Sequence, residues 1–321
     1  MKWHCHMPSG QRPEFLVVGG PTASGKSAVA LELAKAFSGS LICCDSVQLY
    51  QGFDIGSAKP SKAEQAIVPH LLFDEFSWNE PCDAAIFAAK ARQAITQVQE
   101  TGRLPIVVGG TGLYLRALLG DAWDEDIPSD EELRKKLSER RSEDLFSELK
   151  SLDPRRAAQL HVNDRFRVIR ALEINLLTGS PVKDPSLHKL DSQRKHILVF
   201  MNPPREYLYS RINGRTSAMI SEGLLEEVKG LLDAGVDPAC KPMGSIGYKE
   251  VVFMLNHGTS REDLEKSIAT ATRQYAKRQV TWFKKVLADA ELSRVDQVQT
   301  LIHSIKESRI LESYSDGKRT S

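Results

Sequence analysis

The sequence predicts an α/β fold: a parallel sheet flanked by helices and interrupted by a helical insertion. Three observations predict it. Continuous apolar runs break into glycine or polar turns at FLVVGG (15–20), SLICCDS (40–46) and LPIVVGGTG (104–112). Strands buried on both faces read this way, as in parallel sheets covered by helices. Stretches with helical spacing separate the runs. From about Asp121 the texture turns charged and helical, until HILVFMN (196–202) restores strand character.

The elements follow in order. SAVALELAKAF (27–37) puts Val29, Leu33 and Phe37 on one helical face, and residues 83–100 place Ala84, Phe87, Ala91, Ile95 and Val98 at three- and four-residue steps. LYLRALL opens a helix after the third run. Inside the insertion, residues 129–150 read as a charged helix opened by a capping box of Ser129 and Glu132. Asp153-Pro154 starts a second helix by cap and N1 proline. Asn163 is expected to cap a third, DRFRVIRALEINLLTG, which Gly179 stops. Pro181, Pro185 and the polar run to Arg194 read as a linker. Residues 205–234 form one helix or a broken pair stopped by Gly235, and residues 261–288 form another. The polar tail from about Glu307 is expected to fray. The expected division is 1–120 for the first part of the core, 121–194 for the insertion, 195–306 for completion of the core and 307–321 for a flexible tail.

A chain of 321 residues suggests two units, or one core with a large insertion, at roughly 150 residues per domain. With 41% hydrophobic and 26% charged residues it is ordinary globular material, which argues against disorder over most of its length. No apolar run of about 18 residues is present, so no membrane helix is expected. MKWHCHMPSG carries no secretory stretch, and the expected address is the cytoplasm. Five cysteines without C-x-x-C spacing argue against a disulfide framework and a zinc module. Cys43 and Cys44 read as buried thiols. His4-Cys5-His6 could catch a metal but has no fourth ligand nearby. The net charge of +1 excludes a polycation. Residues 194–285 nevertheless hold 15 Lys and Arg against 10 Asp and Glu, and the remainder 28 against 32. That polarity permits an anionic partner without demanding one.

Gly20-Pro21-Thr22-Ala23-Ser24-Gly25-Lys26-Ser27 fits G-x-x-x-x-G-K-[ST] between a predicted strand and a predicted helix. The core is therefore P-loop NTPase-like, with a loop of the kind that binds nucleotides such as ATP. Its glycines let backbone N–H groups turn around a diphosphate or triphosphate, and the helix N-terminus adds its positive end. Lys26 supplies a charge, and Ser27 can hold Mg²⁺. An accidental match would lack this strand-before, helix-after context. The strand 106–110 ends in glycine, where a P-loop NTPase carries the metal-binding aspartate. Asp45, at the end of the second strand, should face the loop across the sheet edge. Position alone leaves it open whether Asp45 is a general base or a cap on the next turn with Ser46.

Six strings go beyond a generic P-loop: GPTASGKS (20–27), CDSVQLYQGFDIGSAKP (44–60), PIVVGGTGLYLRALL (105–119), HVNDRFRVIRALEI (161–174), MGSIGYKE (243–250) and TRQYAKRQVTWFKK (272–285). In this order and spacing the chain resembles the tRNA dimethylallyltransferases, the bacterial tRNA isopentenyltransferase family, from about residue 15 to 287. The long insertion and the RQYAKRQ helix favour that family over the adenylate isopentenyltransferases. The resemblance implies transfer of a dimethylallyl group from dimethylallyl diphosphate to N6 of adenine 37, beside the anticodon, with Mg²⁺ as cofactor. It also explains the absent Walker aspartate, because the loop would hold a leaving group and not a phosphoryl donor.

By the same resemblance Asp45 is the proton acceptor, Thr22 lies near the bridging oxygen, and Arg215 is favoured over Arg211 as the diphosphate-contacting arginine. Implied tRNA contacts are Asp45, Ser46, Val47 and Gln48; Thr111 and Arg134; Phe166, Arg167, Val168, Ile169 and Arg170; Gly244, Ser245, Ile246, Gly247, Tyr248 and Lys249; and Arg273, Lys277 and Arg278. Relatives often carry a basic or amide side chain where this chain has Gly244. Each assignment has a plainer counterpart. The two arginines of 205–234 could be a solvated helix face. Tyr275, Trp282 and Phe283, which share a face with Gln279, read as core more than as base-stacking groups. Val168, Ile169, Leu172 and Leu176 read as a core side that leaves Arg167 and Arg170 outward, as an RNA-facing helix needs. Two other classes remain: a small-molecule P-loop kinase with the insertion as lid, which would consume ATP, and a non-catalytic RNA-binding module, against which Lys26, Ser27 and Asp45 argue. The expected partners are a tRNA anticodon stem-loop and dimethylallyl diphosphate, with no membrane, and the chain is expected to be a monomer.

Overall fold

The apolar runs are strands of one sheet in the structure, a computed structural model that describes residues 2–7, 11–120, 130–181 and 195–315. The strands are β1 (Lys2–Trp3), β2 (Phe15–Gly19), β3 (Gly39–Cys44), β4 (His70–Leu71), β5 (Leu104–Gly109), β6 (His196–Met201) and β7 (Ala290–Leu292). Their order is β1-β7-β6-β2-β5-β3-β4. All neighbours are parallel except β1 and β7. Every residue of β2, β3 and β5 is buried, which is why these segments carry no polar alternation. Gly19 lies opposite Gly109, and Gly109 opposite Cys44. The loops after β2, β3 and β5 therefore leave the same sheet edge side by side, where open α/β sheets bind ligands.

The helices are α1 (Lys26–Ala36), α2 (Lys62–Gln65), α3 (Ala84–Glu100), α4 (Gly112–Leu118), α5 (Glu131–Ser138), α6 (Ser142–Leu152), α7 (Pro154–Ala158), α8 (Arg165–Thr178), α9 (Arg205–Ser221), α10 (Leu224–Asp233), α11 (Tyr248–His257), α12 (Arg261–Phe283), α13 (Val298–Ser308) and α14 (Glu312–Ser315). The faces follow the spacing. α1 buries Val29 and Leu33, and α3 buries Phe87, Ala91, Ile95 and Val98, with the Asp83 side chain capping Ile86 N–H. The chain divides into two compact units, Met1–Leu115 with Gln193–Ser321, and Arg116–Ser192. All seven strands among the described residues belong to the first.

The second unit has its own core of Leu137, Leu145, Leu149, Ala157, Val168, Ala171, Leu172 and Ile174. Asp153 caps α7 with Pro154 at N1, and left-handed Gly179 ends α8. Two caps differ from expectation. Ser129 lies outside the described residues, and α5 is capped by Asp130, whose carboxylate accepts from Leu133 N–H. The residue before α8 is Asp164, not Asn163, and its carboxylate pairs with Arg167 and not with the helix backbone. The core side of α8 is also shifted, because Leu176 is exposed and Glu173 is fully buried. Glu173 accepts from Asp130 N–H at 2.7 Å, from Arg134 Nε at 2.9 Å and from Arg170 Nη1 at 2.6 Å. Burial opposes its charge, but these donors outweigh burial and hold the carboxyl below its ordinary range. Arg170 is thus tied to a buried partner instead of standing free on an outward face.

In the first unit residues 205–234 are a broken pair, split at Glu222 and Gly223 between α9 and α10. α12 stops at Phe283, five residues before the expected end. The segment after Glu307 does not simply fray. α13 runs through Ser308, Leu311 is buried, and α14 follows to Ser315. The cause is an apolar stripe, Val298, Leu301, Ile302 and Ile305, which joins the core cluster of α1. The linker positions 182–194 and the last six residues lie outside the described residues.

Candidate active site

The loop after β2 is built around backbone turns. Ser24 N–H donates to Pro21 O at 3.3 Å, and Gly25 has φ +90°, a left-handed value that a side chain would strain. This turns the chain into α1 with its first N–H groups facing the loop. Lys26 Nζ reaches back to Pro21 O at 3.4 Å. Burial lowers its pKa to about 8, with Asp45 opposing the fall and Arg215 adding to it. Ser24 Oγ is buried without a hydrogen-bond partner. A buried hydroxyl left so is costly, and an anion in the loop would satisfy it.

Two arginines of α9, one turn apart on one face, grip this loop. Arg215 Nη1 donates to Thr22 Oγ1 at 3.1 Å and its Nη2 to Ser57 O at 3.2 Å. Arg211 Nε donates to Ala23 O at 3.1 Å. Arg215 is the more enclosed, and burial lowers its pKa while Asp45 raises it. Asp45 Oδ1 accepts from Val47 N–H at 2.9 Å and Gln48 N–H at 3.4 Å. The turn-cap reading is therefore realised, yet it uses one oxygen and leaves a second acceptor. The same carboxylate acts electrostatically on Lys26, Arg215 and Tyr275. A cap and a base are compatible in this geometry.

The neighbouring loops interlock. Ser46 N–H donates to Thr111 Oγ1 at 3.2 Å, and the Tyr275 phenol, pushed up to about 12 by burial, meets the Thr111 hydroxyl. Gln48 Nε2 donates to Ser57 O and Ala58 O, both at 3.0 Å. Val47 is half-buried in that turn. Glu227 of α10 accepts from three successive N–H groups, Asp54, Ile55 and Gly56, and from Tyr248 Oη at 2.7 Å. Tyr248 is thereby a core residue whose ring packs on Phe53 at 4.9 Å. Gly247 is buried too, Ser245 and Ile246 are half-buried, and Gly244 and Lys249 are exposed.

On α12, Arg273 Nη1 donates to Asn213 Oδ1 at 2.8 Å, while Lys277 and Arg278 are exposed and line an open depression with Gln274 and Thr281. Phe283 is core, stacked on Phe200 at 5.2 Å, and Trp282 meets it edge-on. Two polar residues that tie the site loops together escaped sequence reasoning, Glu227 and Gln279. Gln279 is buried, accepts from Thr22 N–H at 2.8 Å and donates through Nε2 to Gly110 O at 2.8 Å. A Cβ on Gly110 would lie 2.3 Å from that nitrogen, so only glycine admits it. The available signal was a polar residue on the apolar face of a helix.

In the second unit Phe166 is 77% exposed and Arg167 is exposed beside it. Val168 is core, Ile169 packs against that core, and Arg134 and Arg170 are held by Glu173. At the other end of the chain, His6 N and Nδ1 face Asp289 Oδ1 at 2.7 and 3.2 Å, anchoring the segment after β1. Among the described residues no group of three or more His, Cys, Asp or Glu could hold a metal. An Mg²⁺ would fit only with its anion: the exposed Ser27 hydroxyl is one hard oxygen, and diphosphate oxygens and waters would supply the rest. No cysteine is in a disulfide, and burial pushes the Cys43 and Cys44 thiols well above their usual range. Among the described residues no helix is long and apolar enough to cross a membrane.

Comparison with known proteins gives one consistent answer. Residues 48–286 match the model of the family described as IPP transferase. The chain is 45% identical over 278 residues to tRNA dimethylallyltransferase 1 of Trichlorobacter lovleyi, covering 85% of this chain and 91% of that one. It is 42% identical to the tRNA dimethylallyltransferase of Geobacter sulfurreducens, covering 86% and 91%. Among solved structures it is similar to the tRNA isopentenylpyrophosphate transferase of Bacillus halodurans, with TM-score 0.66, 36% identity and coverage of 94% and 98%. It is also similar to a eukaryotic dimethylallyltransferase described as acting on tRNA, with TM-score 0.76, 28% identity and coverage of 95% and 81%.

Proposed function

The chain belongs to the IPP transferase family, and from that membership we propose that it transfers a dimethylallyl group from dimethylallyl diphosphate to N6 of adenine 37 of tRNA. One observation carries the reading. Thr22, Lys26 and Arg215 converge on the P-loop while the Asp45 carboxylate faces the same charges from the next strand end but one.

In the reaction the allylic C1–O bond breaks and the C1–N6 bond forms. The diphosphate leaves with the bonding electrons, and one N6 proton goes to Asp45. Lys26, the loop N–H groups and the unpartnered Ser24 hydroxyl stabilise the charge that grows on the diphosphate. Arg215 orients Thr22 toward the bridging oxygen and adds a second cation. Mg²⁺, held through Ser27, supplies further charge neutralisation when bound. A neutral exocyclic amine is a weak nucleophile, so the second oxygen of Asp45 accepts its proton while Oδ1 keeps the side chain in place. The adenine must leave the anticodon-loop stack, at a cost of a few kcal/mol, offset by contacts to the flipped base and the phosphates. Of the implied RNA contacts, Lys277, Arg278 and Lys249 are the exposed cations of this unit, and Phe166 and Arg167 the exposed side chains of the second. We place the activity in the cytoplasm, with the protein acting as a monomer.

The test incubates an anticodon stem-loop with dimethylallyl diphosphate, Mg²⁺ and the protein, without ATP. Mass spectrometry should find adenosine 37 heavier by one C5H8 unit. Unmodified RNA together with ATP-dependent phosphorylation of a small molecule would establish the kinase instead.

A further inference from the structure

We propose that Gln279 is a positioning residue that locks the diphosphate loop to the acceptor-side loop, so that both halves of the site hold one geometry. The inference deepens the transferase reading and rests on it. The parallel ladder between β2 and β5 ends at Gly19 and Gly109. Just beyond it Thr22 N–H and Gly110 C=O stand apart, each needing a partner. The Gln279 amide fills the gap as a missing rung, accepting from Thr22 and donating to Gly110, both at 2.8 Å. At this length a primary amide accepts on one side and donates on the other at neutral pH, where a carboxylate could only accept.

The two anchors lead to opposite halves of the chemistry. Thr22 carries the hydroxyl that Arg215 holds. Gly110 precedes Thr111, whose hydroxyl fixes Ser46 N–H beside Asp45. A shift of either loop would move Thr22 against Asp45. Gln279 touches neither substrate in this scheme, and its buried amide is too enclosed to read RNA.

The experiment measures the single-turnover rate constant with saturating donor and RNA, which does not depend on the fraction of folded enzyme. Gln279→Met keeps the volume and loses both hydrogen bonds, and its rate constant should fall about 10- to 100-fold, the size of effect that a small misplacement has. Stem-loop affinity should stay unchanged. Gln279→Glu sets an oxygen against Gly110 O, and its rate relative to wild type should recover as pH falls and the carboxyl gains a proton to donate. Gly110→Ala drives the amide out from the other side and should reproduce the loss. Leu264→Ala, a core change at the far end of the same helix, should lower the melting temperature and leave the rate constant alone. A wild type that transfers nothing refutes the transferase reading itself. With an active wild type, the inference is overturned if the three bridge variants keep the wild-type rate constant, or if all three fail to fold.

Discussion

At the scale of single residues, the loop lysine and the strand-end aspartate carry separable work. Lys26 titrates at about 8 because burial disfavours its charge. Below that pH it is charged and attracts the donor, and above it the free enzyme loses the attraction. The KM for dimethylallyl diphosphate should therefore rise above about pH 8, approaching tenfold per pH unit, while kcat stays flatter because bound diphosphate keeps Lys26 protonated. A pH profile of KM that is flat to pH 9.5 or so would refute the assignment, and Lys26→Met should abolish the rise. The stability sign is opposite: the unfolded lysine titrates near 10.5, so between 8 and 10.5 the unfolded chain binds more protons and the unliganded fold gains stability with rising pH. Asp45→Asn keeps the cap acceptor for Val47 N–H and removes the base. Alkylation should fall about 10²- to 10⁴-fold with stem-loop binding intact, as read by gel shift and single turnover. Normal turnover by this variant would end its role as proton acceptor. These two residues were legible because a P-loop and a strand-end carboxylate are local patterns. Gln279 and Glu227 were not, since their partners lie 257 and about 172 positions away and no spacing rule reaches so far.

At the scale of elements, legibility followed length and periodicity. The long apolar runs and α3 read directly, whereas β1, β4 and β7 have two or three residues each and exist only because neighbouring strands supply their hydrogen bonds. α8 shows where periodicity misleads: the apolar spacing points to Leu176 as a core residue, whereas Leu176 is exposed and the charged Glu173 is buried. Glu173 joins α5 to α8 through Asp130 N–H, Arg134 and Arg170, with the carboxylate wholly out of solvent. Replacing it by alanine removes the buried acceptor that Arg134, Arg170 and the Asp130 N–H share. Glu173→Ala should destabilise the second unit by about 3–5 kcal/mol. Hydrogen exchange should then show α5 and α8 amides opening earlier, with β2 and β5 amides unchanged. Because the folded carboxyl titrates below its unfolded value, this stability is present above the ordinary glutamate pKa and is lost as pH falls through the folded one. Exchange in α5 that stays as slow as wild type would show that Glu173 is dispensable.

At the scale of the whole molecule, the charge that can meet RNA is local and not global. A net charge of +1 gives no long-range attraction, but residues 194–285 carry 15 cations against 10 anions. Several of those cations are already spoken for: Arg215 and Arg211 by the loop, Arg273 by Asn213, Lys241 by the Cys82 carbonyl. Lys277 and Arg278, exposed on α12, are the better candidates for phosphate contacts, since side chains committed to protein partners release few counterions on binding. Each phosphate neutralised contributes about 0.7–0.9 to the slope of log K against log salt. Replacing Lys277 and Arg278 together by alanine should therefore reduce the magnitude of the slope for stem-loop binding by about 1.4–1.8. The exposed Lys306 of α13 provides the control, and Lys306→Ala should leave the slope unchanged. Should the double variant keep the full wild-type slope, the α12 face is not where this unit meets the RNA backbone, and the exposed cation Lys249 becomes the next position to replace.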